Sequence, residues 1–169
     1  MSLCATMSDF MDRTLDRGYA EGSAILFSIT RRTTVSQEQN FRIARQLLAG
    51  IGEGKDPDEI GALFSVDVQF EIAGDIGALP WIGQKTGRSA ASDFIRDIRH
   101  LVEHIRFDVQ DILANDDRAV ILGELASRIN ATGKIIETAF ALILAVADGK
   151  ITRFQMLEDS FAVSRAARS

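Results

Sequence analysis

Residues 148–159 contain side chains that could carry acid–base chemistry. An Asp-Gly hairpin signal is followed by an alternating strand that ends in two adjacent carboxylates, Glu158 and Asp159. Side chains of a strand alternate between its faces, so Glu158 shares a face with Phe154 and Met156, while Asp159 points to the other face. Glu158 is therefore either a candidate general acid or base, or a strand end that points to water.

Asp159 has a different predicted task. Together with Ser160 it precedes an apolar stretch that begins at Phe161. Short polar side chains at such a point satisfy the free N–H groups of a helix start. We therefore expect Asp159 to cap a short C-terminal helix.

Two further residues could supply a base, namely Asp75 in a glycine-rich loop and His104. His104 also completes the pattern His-x-x-Glu-His from His100, which is typical of zinc proteases when both imidazoles lie on one helix face. The residues after His104 alternate like a strand, so the helix is expected to stop near 102–103. The sequence thus predicts no metal site, and it indicates no cofactor.

Composition excludes several classes of protein. The chain has 169 residues, a net charge of −5 and 46% hydrophobic residues, as in ordinary globular domains, and no basic face for nucleic acid is evident. Its longest apolar run is too short to cross a membrane. One cysteine, Cys4, permits no internal disulfide, which favours the cytoplasm.

The order of predicted elements is α+β. Residues 1–35 lack sustained periodicity and are interpreted as an N-terminal arm, either partly helical or flexible, before a domain over residues 36–169. Helices are expected from Ser36 to about Gly50–Gly54, from Pro57 to Leu63–Phe64, and from Arg88–Ser89 to about 102–103. Strands are expected over Val66–Ile72, Ile105–Leu113, Ala119–Ile129, Ile135–Val146 and Lys150–Glu158. A loop is expected over Ala73–Gly87.

Two of these strands are apolar at nearly every position, over Val120–Ala126 and Ala139–Val146. Such strands are covered on both faces. Helices can cover one face, and a second copy of the chain is the simplest cover for the other. We therefore predict a homodimer. Glu124 falls on the outer face by parity, where a role at an interface or sheet edge, with an arginine as a partner, is favoured over catalysis.

This order of elements resembles the nuclear transport factor 2-like superfamily. More narrowly, residues 36–166 are similar to the group of SnoaL-like polyketide cyclases, ketosteroid isomerases and limonene-epoxide hydrolases. The resemblance is carried by Ala62-Leu-Phe64, Trp81-Ile-Gly83, Thr132-Gly-Lys134 and Asp148-Gly-Lys-Ile151 with Asp159. It implies a cone-shaped curved antiparallel sheet wrapped by three N-terminal helices around an apolar pocket, usually in a dimer.

The resemblance also implies which residues face that pocket. Glu158 would lie in its wall, where desolvation raises the pKa of a carboxyl group. Trp81 would lie at the mouth, stacked on a flat ligand or serving as a lid, or it would fill the core beneath its loop. The remaining residues expected to line the pocket are Phe70, Thr138, Phe140, Phe154 and Met156.

The catalytic residues of two members of this group have no match. Met156 stands where the epoxide hydrolases have the acid that activates water, and Ile72 stands where ketosteroid isomerase has its base. The sequence therefore leaves two hypotheses. One is an isomerase or cyclase that acts on a hydrophobic cyclic or polyketide-like molecule through Glu158, with Asp75 or His104 in reserve. The other is a non-catalytic member of the same fold that binds an apolar ligand or serves as a dimeric interaction module.

Overall fold

A computed structural model describes residues 31–168 as four helices and one six-stranded sheet. The helices are α1 (Arg31–Gly52), α2 (Pro57–Gly61), α3 (Arg88–Leu101) and α4 (Ser160–Ala167). The strands are β1 (Phe64–Ile72), β2 (Gly83–Thr86), β3 (Val102–Ala114), β4 (Arg118–Ile129), β5 (Ile135–Ala147) and β6 (Lys150–Glu158). The predicted α+β class is confirmed.

The curved sheet has the order β2-β1-β6-β5-β4-β3. Strands β3 to β6 form an antiparallel meander, as predicted, but β1 runs parallel to β6, so the sheet is mixed rather than wholly antiparallel. Alternation of apolar residues indicates a strand but not its direction. Hairpin signals fixed the directions of β3 to β6, and none joins β1 to β6.

Helices α1 and α3 cover the inner face of the sheet. In α1 the side chains of Ile43, Ala44, Leu47 and Leu48 are at most 5% exposed, the spacing expected of one buried helix face. Each large side chain buried in this way contributes about 1.5–3 kcal/mol to stability. These helices and the inner sheet face form one hydrophobic core.

Register shifts in the sheet change which side chains face the core. One shift lies in β3 between His104 and Arg106, and another lies in β6 near Thr152. A β-bulge inserts one extra residue, so strict alternation fails across it. As a result Ile151 is fully buried, although simple parity puts it on the face opposite Phe154.

Gly123 in β4 makes room for an aromatic pair on the inner face. The ring of Phe140 on β5 stacks on that of Phe107 on β3, with centroids 4.8 Å apart. A Cβ atom at Gly123 would lie 2.7 Å from the Phe140 ring and would collide with the Asp108 carbonyl oxygen. Because Gly123 has no side chain, the Phe140 ring can lie across β4 and reach the Phe107 ring on β3.

Two predicted boundaries were wrong. Helix α1 already runs at Arg31, so Ser36 is not its N-cap, because the capping pattern of Ser36 and Gln39 also fits a helix interior. Strand β2 lies within the predicted loop and pairs with β1 at the sheet edge. It has four mostly polar residues, too few for an alternating pattern. Residues 1–30 of the predicted arm, with Cys4, lie outside the described residues.

The helices of residues 31–168 include none that is both long and apolar enough to cross a membrane.

Substituting Gly123→Ala should lower the free energy of unfolding by about 1–3 kcal/mol, because the new methyl group must displace the Phe140 ring and the β3 backbone. Urea denaturation measures the change. Gly50→Ala is the control, since a helical glycine gains from this substitution and the nearest neighbours of the new methyl group are side chains, Ile60 at 3.2 Å and Lys55 at 3.9 Å. Two variants of equal stability would contradict the packing role of Gly123.

Candidate active site

An apolar cavity of about 100 Å³ lies between the inner face of the sheet and the helices. Its wall includes Leu47 of α1, Phe94 of α3 and Val163 of α4. Besides the indole of Trp81, polar groups enter the lining only from Glu158, His104 and Ser127 among residues 31–168. The cavity is therefore a hydrophobic site with a few polar groups, the usual composition of a small-molecule pocket.

Strand β6 delivers Glu158 to the cavity. Register pairs it with Phe140 on β5, while Met156 and Phe154 precede it on the same face. Burial raises the pKa of the Glu158 carboxyl to about 7, and the neighbouring charge of Asp159 adds to the rise. No group of residues 31–168 donates a hydrogen bond that would stabilise its ionised form. Near neutral pH this acid can both give and take a proton.

Asp159 fixes the end of β6, and its predicted capping role is confirmed. Its carboxylate accepts hydrogen bonds from the N–H groups of Phe161 and Ala162 at 3.1 and 2.9 Å, so it is the N-cap of α4. The N–H of Asp159 donates to the Thr138 hydroxyl at 3.0 Å. The two carboxylates thus have different surroundings, because one caps a helix and the other faces the cavity.

Helix α4 is also fastened at its C-terminal end. The Thr132 hydroxyl donates to the Ala166 carbonyl at 2.7 Å, and the Lys134 ammonium donates to the Arg168 carbonyl at 2.6 Å. Both residues belong to the turn between β4 and β5. Since Val163 of this helix lines the cavity, these bonds hold one wall of the site in place.

His104 lies in the cavity because of the bulge in β3. Simple alternation sets His104 and Phe107 on opposite faces, but the extra residue brings both into the lining. Burial lowers the pKa of the His104 imidazole, and the charge of Arg99 lowers it further. The imidazole is therefore neutral at neutral pH and offers one donor and one acceptor.

The structure does not place the two histidines of the zinc-protease pattern on one helix. Helix α3 ends at Leu101, close to the predicted end, so His100 is helical whereas His104 lies on a strand. The two imidazoles cannot share a helix face. Within residues 31–168 no cluster of three or more His, Cys, Asp and Glu side chains could hold a metal ion.

Asp75 does not line the cavity. Its carboxylate accepts a hydrogen bond from the Ser164 hydroxyl at 2.6 Å and pairs with the Arg168 guanidinium at 2.7 Å. The bonds from Arg168 and Ser164 lower the pKa of Asp75 to about 2. The structure thus surrounds Asp75 with groups that keep it ionised and tie its loop to α4.

The other residues expected in the pocket fall into two layers. Trp81, Phe154 and Met156 line the cavity, and Trp81 is only 6% exposed. Phe70 stacks behind Phe154 with centroids 4.5 Å apart, and Phe140 stacks behind Phe107. Thr138 shares the inner face by register, but it contributes to the strand end rather than to the lining.

Two of the three candidate acid–base residues, Glu158 and His104, face one cavity.

Ser127 lines the cavity and was missed from sequence. It lies on β4 opposite His104 and is 8% exposed. A polar residue at an inward position of an apolar strand was the available signal, since Ser127 has the same parity as Ile121 and Ile129.

Glu124 lies on the outer face of β4, as its parity predicted. Its carboxylate is 3.7 Å from the Arg106 guanidinium and accepts a hydrogen bond from Gln110. The predicted pairing with an arginine is confirmed.

Several solved structures have similar folds, and the match to this chain extends over nearly their whole length. An NTF2-like protein from Burkholderia xenovorans LB400 has a TM-score of 0.70 at 22% identity over 78% of this chain and 98% of its own. A protein provisionally described as an isomerase, from Rhodopseudomonas palustris, has a TM-score of 0.63 at 21% identity, covering 76% and 95%. TerC, co-crystallised with polyporic acid, has a TM-score of 0.65 at 20% identity, covering 78% and 99%.

These identities show a shared fold and do not transfer an activity. No curated protein sequence matches the chain significantly. The SnoaL-like domain family matches residues 44–154, more than half of the chain. That range includes β1 to β5 and most of the cavity wall, and it confirms the resemblance inferred from the sequence. The chain belongs to the SnoaL-like domain family, within the NTF2-like fold.

Proposed function

We propose that the protein is an isomerase or cyclase that moves protons on a hydrophobic cyclic or polyketide-like molecule. The observation that carries the proposal is the Glu158 carboxyl, which lies in an apolar cavity with a pKa of about 7. A general acid or base works best when its pKa is near the operating pH. Structural relatives that include a provisional isomerase and the TerC complex with polyporic acid are consistent with this class.

The proposed reaction uses Glu158 in both protonation states. The carboxylate removes a proton from a carbon next to a carbonyl group, and the electron pair moves onto the carbonyl oxygen. The resulting acid returns the proton to another carbon or to oxygen, so no net proton is consumed. Water is largely excluded by Leu47, Phe94 and Val163, which keeps the reactive enolate from random protonation.

Turnover on a panel of steroids, aromatic polyketides and terpenoids tests this function. We expect at least one compound to be converted and Glu158→Gln to lower kcat by about 100-fold or more, the usual contribution of a general acid or base. For proton abstraction, kcat/KM should rise with pH and level off above about 7. Glu137→Gln, on the exposed outer face of β5, is the matched control.

The competing hypothesis is a module that binds a ligand without converting it. Quenching of Trp81 fluorescence by the same compounds separates the two, because Trp81 lines the cavity. Saturable binding with no turnover under any condition would favour the binding module. Turnover that survives Glu158→Gln would contradict the role of Glu158.

The pH dependence of the free energy of unfolding should report the burial of Glu158, and its measurement needs no substrate. Its pKa is 4.5 when unfolded and about 7 when folded, so the folded state holds a proton that the unfolded state loses between these values. This contribution is fully present below pH 4.5 and is lost as pH rises through 7, at most about 3 kcal/mol. His104 acts in the opposite direction, since its lowered pKa destabilises the folded state in acid.

The comparison of wild type with Glu158→Gln isolates the carboxyl group. We expect the variant to gain stability relative to wild type between pH 5 and pH 8, as measured by urea unfolding at both values. A constant difference between the two proteins would show that Glu158 titrates like an exposed glutamate.

We also propose that the protein is a homodimer. The outer face of the sheet carries an apolar patch of Val120, Leu122, Ala141, Ile143 and Leu157, joined by the register of β4, β5 and β6. None of these five is fully buried within one chain, and Leu157 is 41% exposed. Charged residues of both signs flank the patch, including Arg106 and Glu124. Such a surface can meet its own copy across a twofold axis.

Light scattering coupled to size exclusion tests the dimer. We expect a mass about twice the 18.5 kDa of one chain and a monomer for Ile143→Glu, which puts a charge in the middle of the patch. Arg153→Glu, at the edge of the same face, is the control. A monomeric wild type would contradict the proposal.

A further inference from the structure

Ser127 and His104 form a pair of polar side chains within the apolar cavity. They are directly opposite each other on β4 and β3, and both line the cavity. Side chains opposite each other in an antiparallel sheet have Cβ atoms about 5 Å apart. The two polar groups are therefore neighbours and can contact one ligand group together.

Neither side chain is satisfied by the protein. In the part of the chain that is described, no hydrogen bond joins Ser127 to His104 or either of them to a third residue. The Thr132 and Ser164 hydroxyls are paired within the fold, whereas the Ser65 hydroxyl is fully enclosed and has no partner among residues 31–168. Unlike the Ser65 hydroxyl, the polar atoms of Ser127 and His104 are not fully enclosed, so they are open to the cavity and can bond to water or a ligand there.

The pair is well separated from Glu158. Within the sheet, His104 on β3 is three strand spacings from Glu158 on β6, roughly 14 Å, and Ser127 on β4 is two spacings away, roughly 10 Å. Glu158 pairs with Phe140 on β5, whereas Ser127 pairs with Ile136, four residues earlier on that strand. A single ligand group cannot contact both, but the two ends of one ligand can.

The electrostatics of the cavity favour an uncharged ligand. The lining is apolar apart from these groups, and burial disfavours the charged forms of both Glu158 and His104. An ionised ligand would lose its hydration without gaining an ion pair. Neutral hydroxyl or carbonyl groups suit a serine hydroxyl and a neutral imidazole, each of which can donate and accept.

We propose that Ser127 and His104 bind a hydroxyl or carbonyl group at one end of an uncharged, apolar ligand whose other polar end contacts Glu158. This inference rests on the proposed function and narrows its substrate class to molecules with oxygen functions at two ends of a hydrophobic body. Ser127 is then a residue that determines specificity, because it selects ligands with the second oxygen.

Bicyclic probes test the pair directly. Calorimetry measures the binding of naphthalene, 2-naphthol and the 1,5-, 2,6- and 2,7-naphthalenediols to wild type, to Ser127→Ala and to His104→Gln. We expect the best diol to bind wild type about tenfold more tightly than 2-naphthol. We expect Ser127→Ala to remove most of that gain while changing naphthalene binding less than twofold. Ser89→Ala, an exposed serine in α3, is the control.

Proton NMR gives a second measurement, which a purely structural role of Ser127 and His104 would leave unaffected. The best diol should shift the ring signals of His104 in wild type and shift them less in Ser127→Ala. His100, exposed at the end of α3, serves as the internal reference and should not move. His104→Gln, which keeps a donor and an acceptor, should retain more diol affinity than His104→Ala.

The outcomes separate this inference from the proposed function. The inference is overturned if no diol binds better than 2-naphthol, or if Ser127→Ala weakens naphthalene and diol equally. In that case a loss of turnover in Glu158→Gln would still support the acid–base function. The converse result is that the best diol binds more tightly than 2-naphthol through Ser127 while no compound is turned over. That result supports the binding role of Ser127 and His104 and contradicts the proposed enzymatic function.

Discussion

Desolvation of the cavity is the constraint on which the candidate site depends. The same apolar packing that joins α1 and α3 to the inner sheet face removes water from the end of β6, where Glu158 lies. In an exposed setting the carboxyl would be fully ionised at neutral pH and a weak base. In the cavity its pKa lies at about 7, so the hydrophobic core itself produces the chemical property that the proposed acid–base function needs.

The fold holds this arrangement by fastening the elements around it. A cavity and three polar side chains without partners reduce stability, since a filled apolar core would pack better. The compensation lies at the edges of the site. Asp159 caps α4 and bonds to Thr138, while Thr132 and Lys134 hold its other end. The stacked rings of Phe70 and Phe154 support the wall from behind.

Much of the fold followed from local patterns. Hairpin signals and alternation gave β3 to β6 in the right order. Parity put Glu158 on the same face as Phe154 and Met156, and the family resemblance identified that face as the pocket wall. Features that depend on distant contacts did not follow. The parallel pairing of β1 with β6 has no local signal, and the bulge that turns His104 inward is visible only when β3 is laid against β4. The environment of Asp75 depends on Arg168, more than ninety residues away.

The proposed role of Glu158 requires its carboxyl to titrate near neutral pH, and NMR of its ¹³C-labelled side-chain carboxyl carbon measures this most directly. A titration from pH 3 to pH 9 on wild type, with Glu158→Gln to assign the signal, gives the pKa without any ligand. We expect a midpoint of about 7 for this carbon. A midpoint near 4.5, the ordinary value for glutamate, would mean that water reaches the carboxyl, and the proposed acid–base role would lose its foundation.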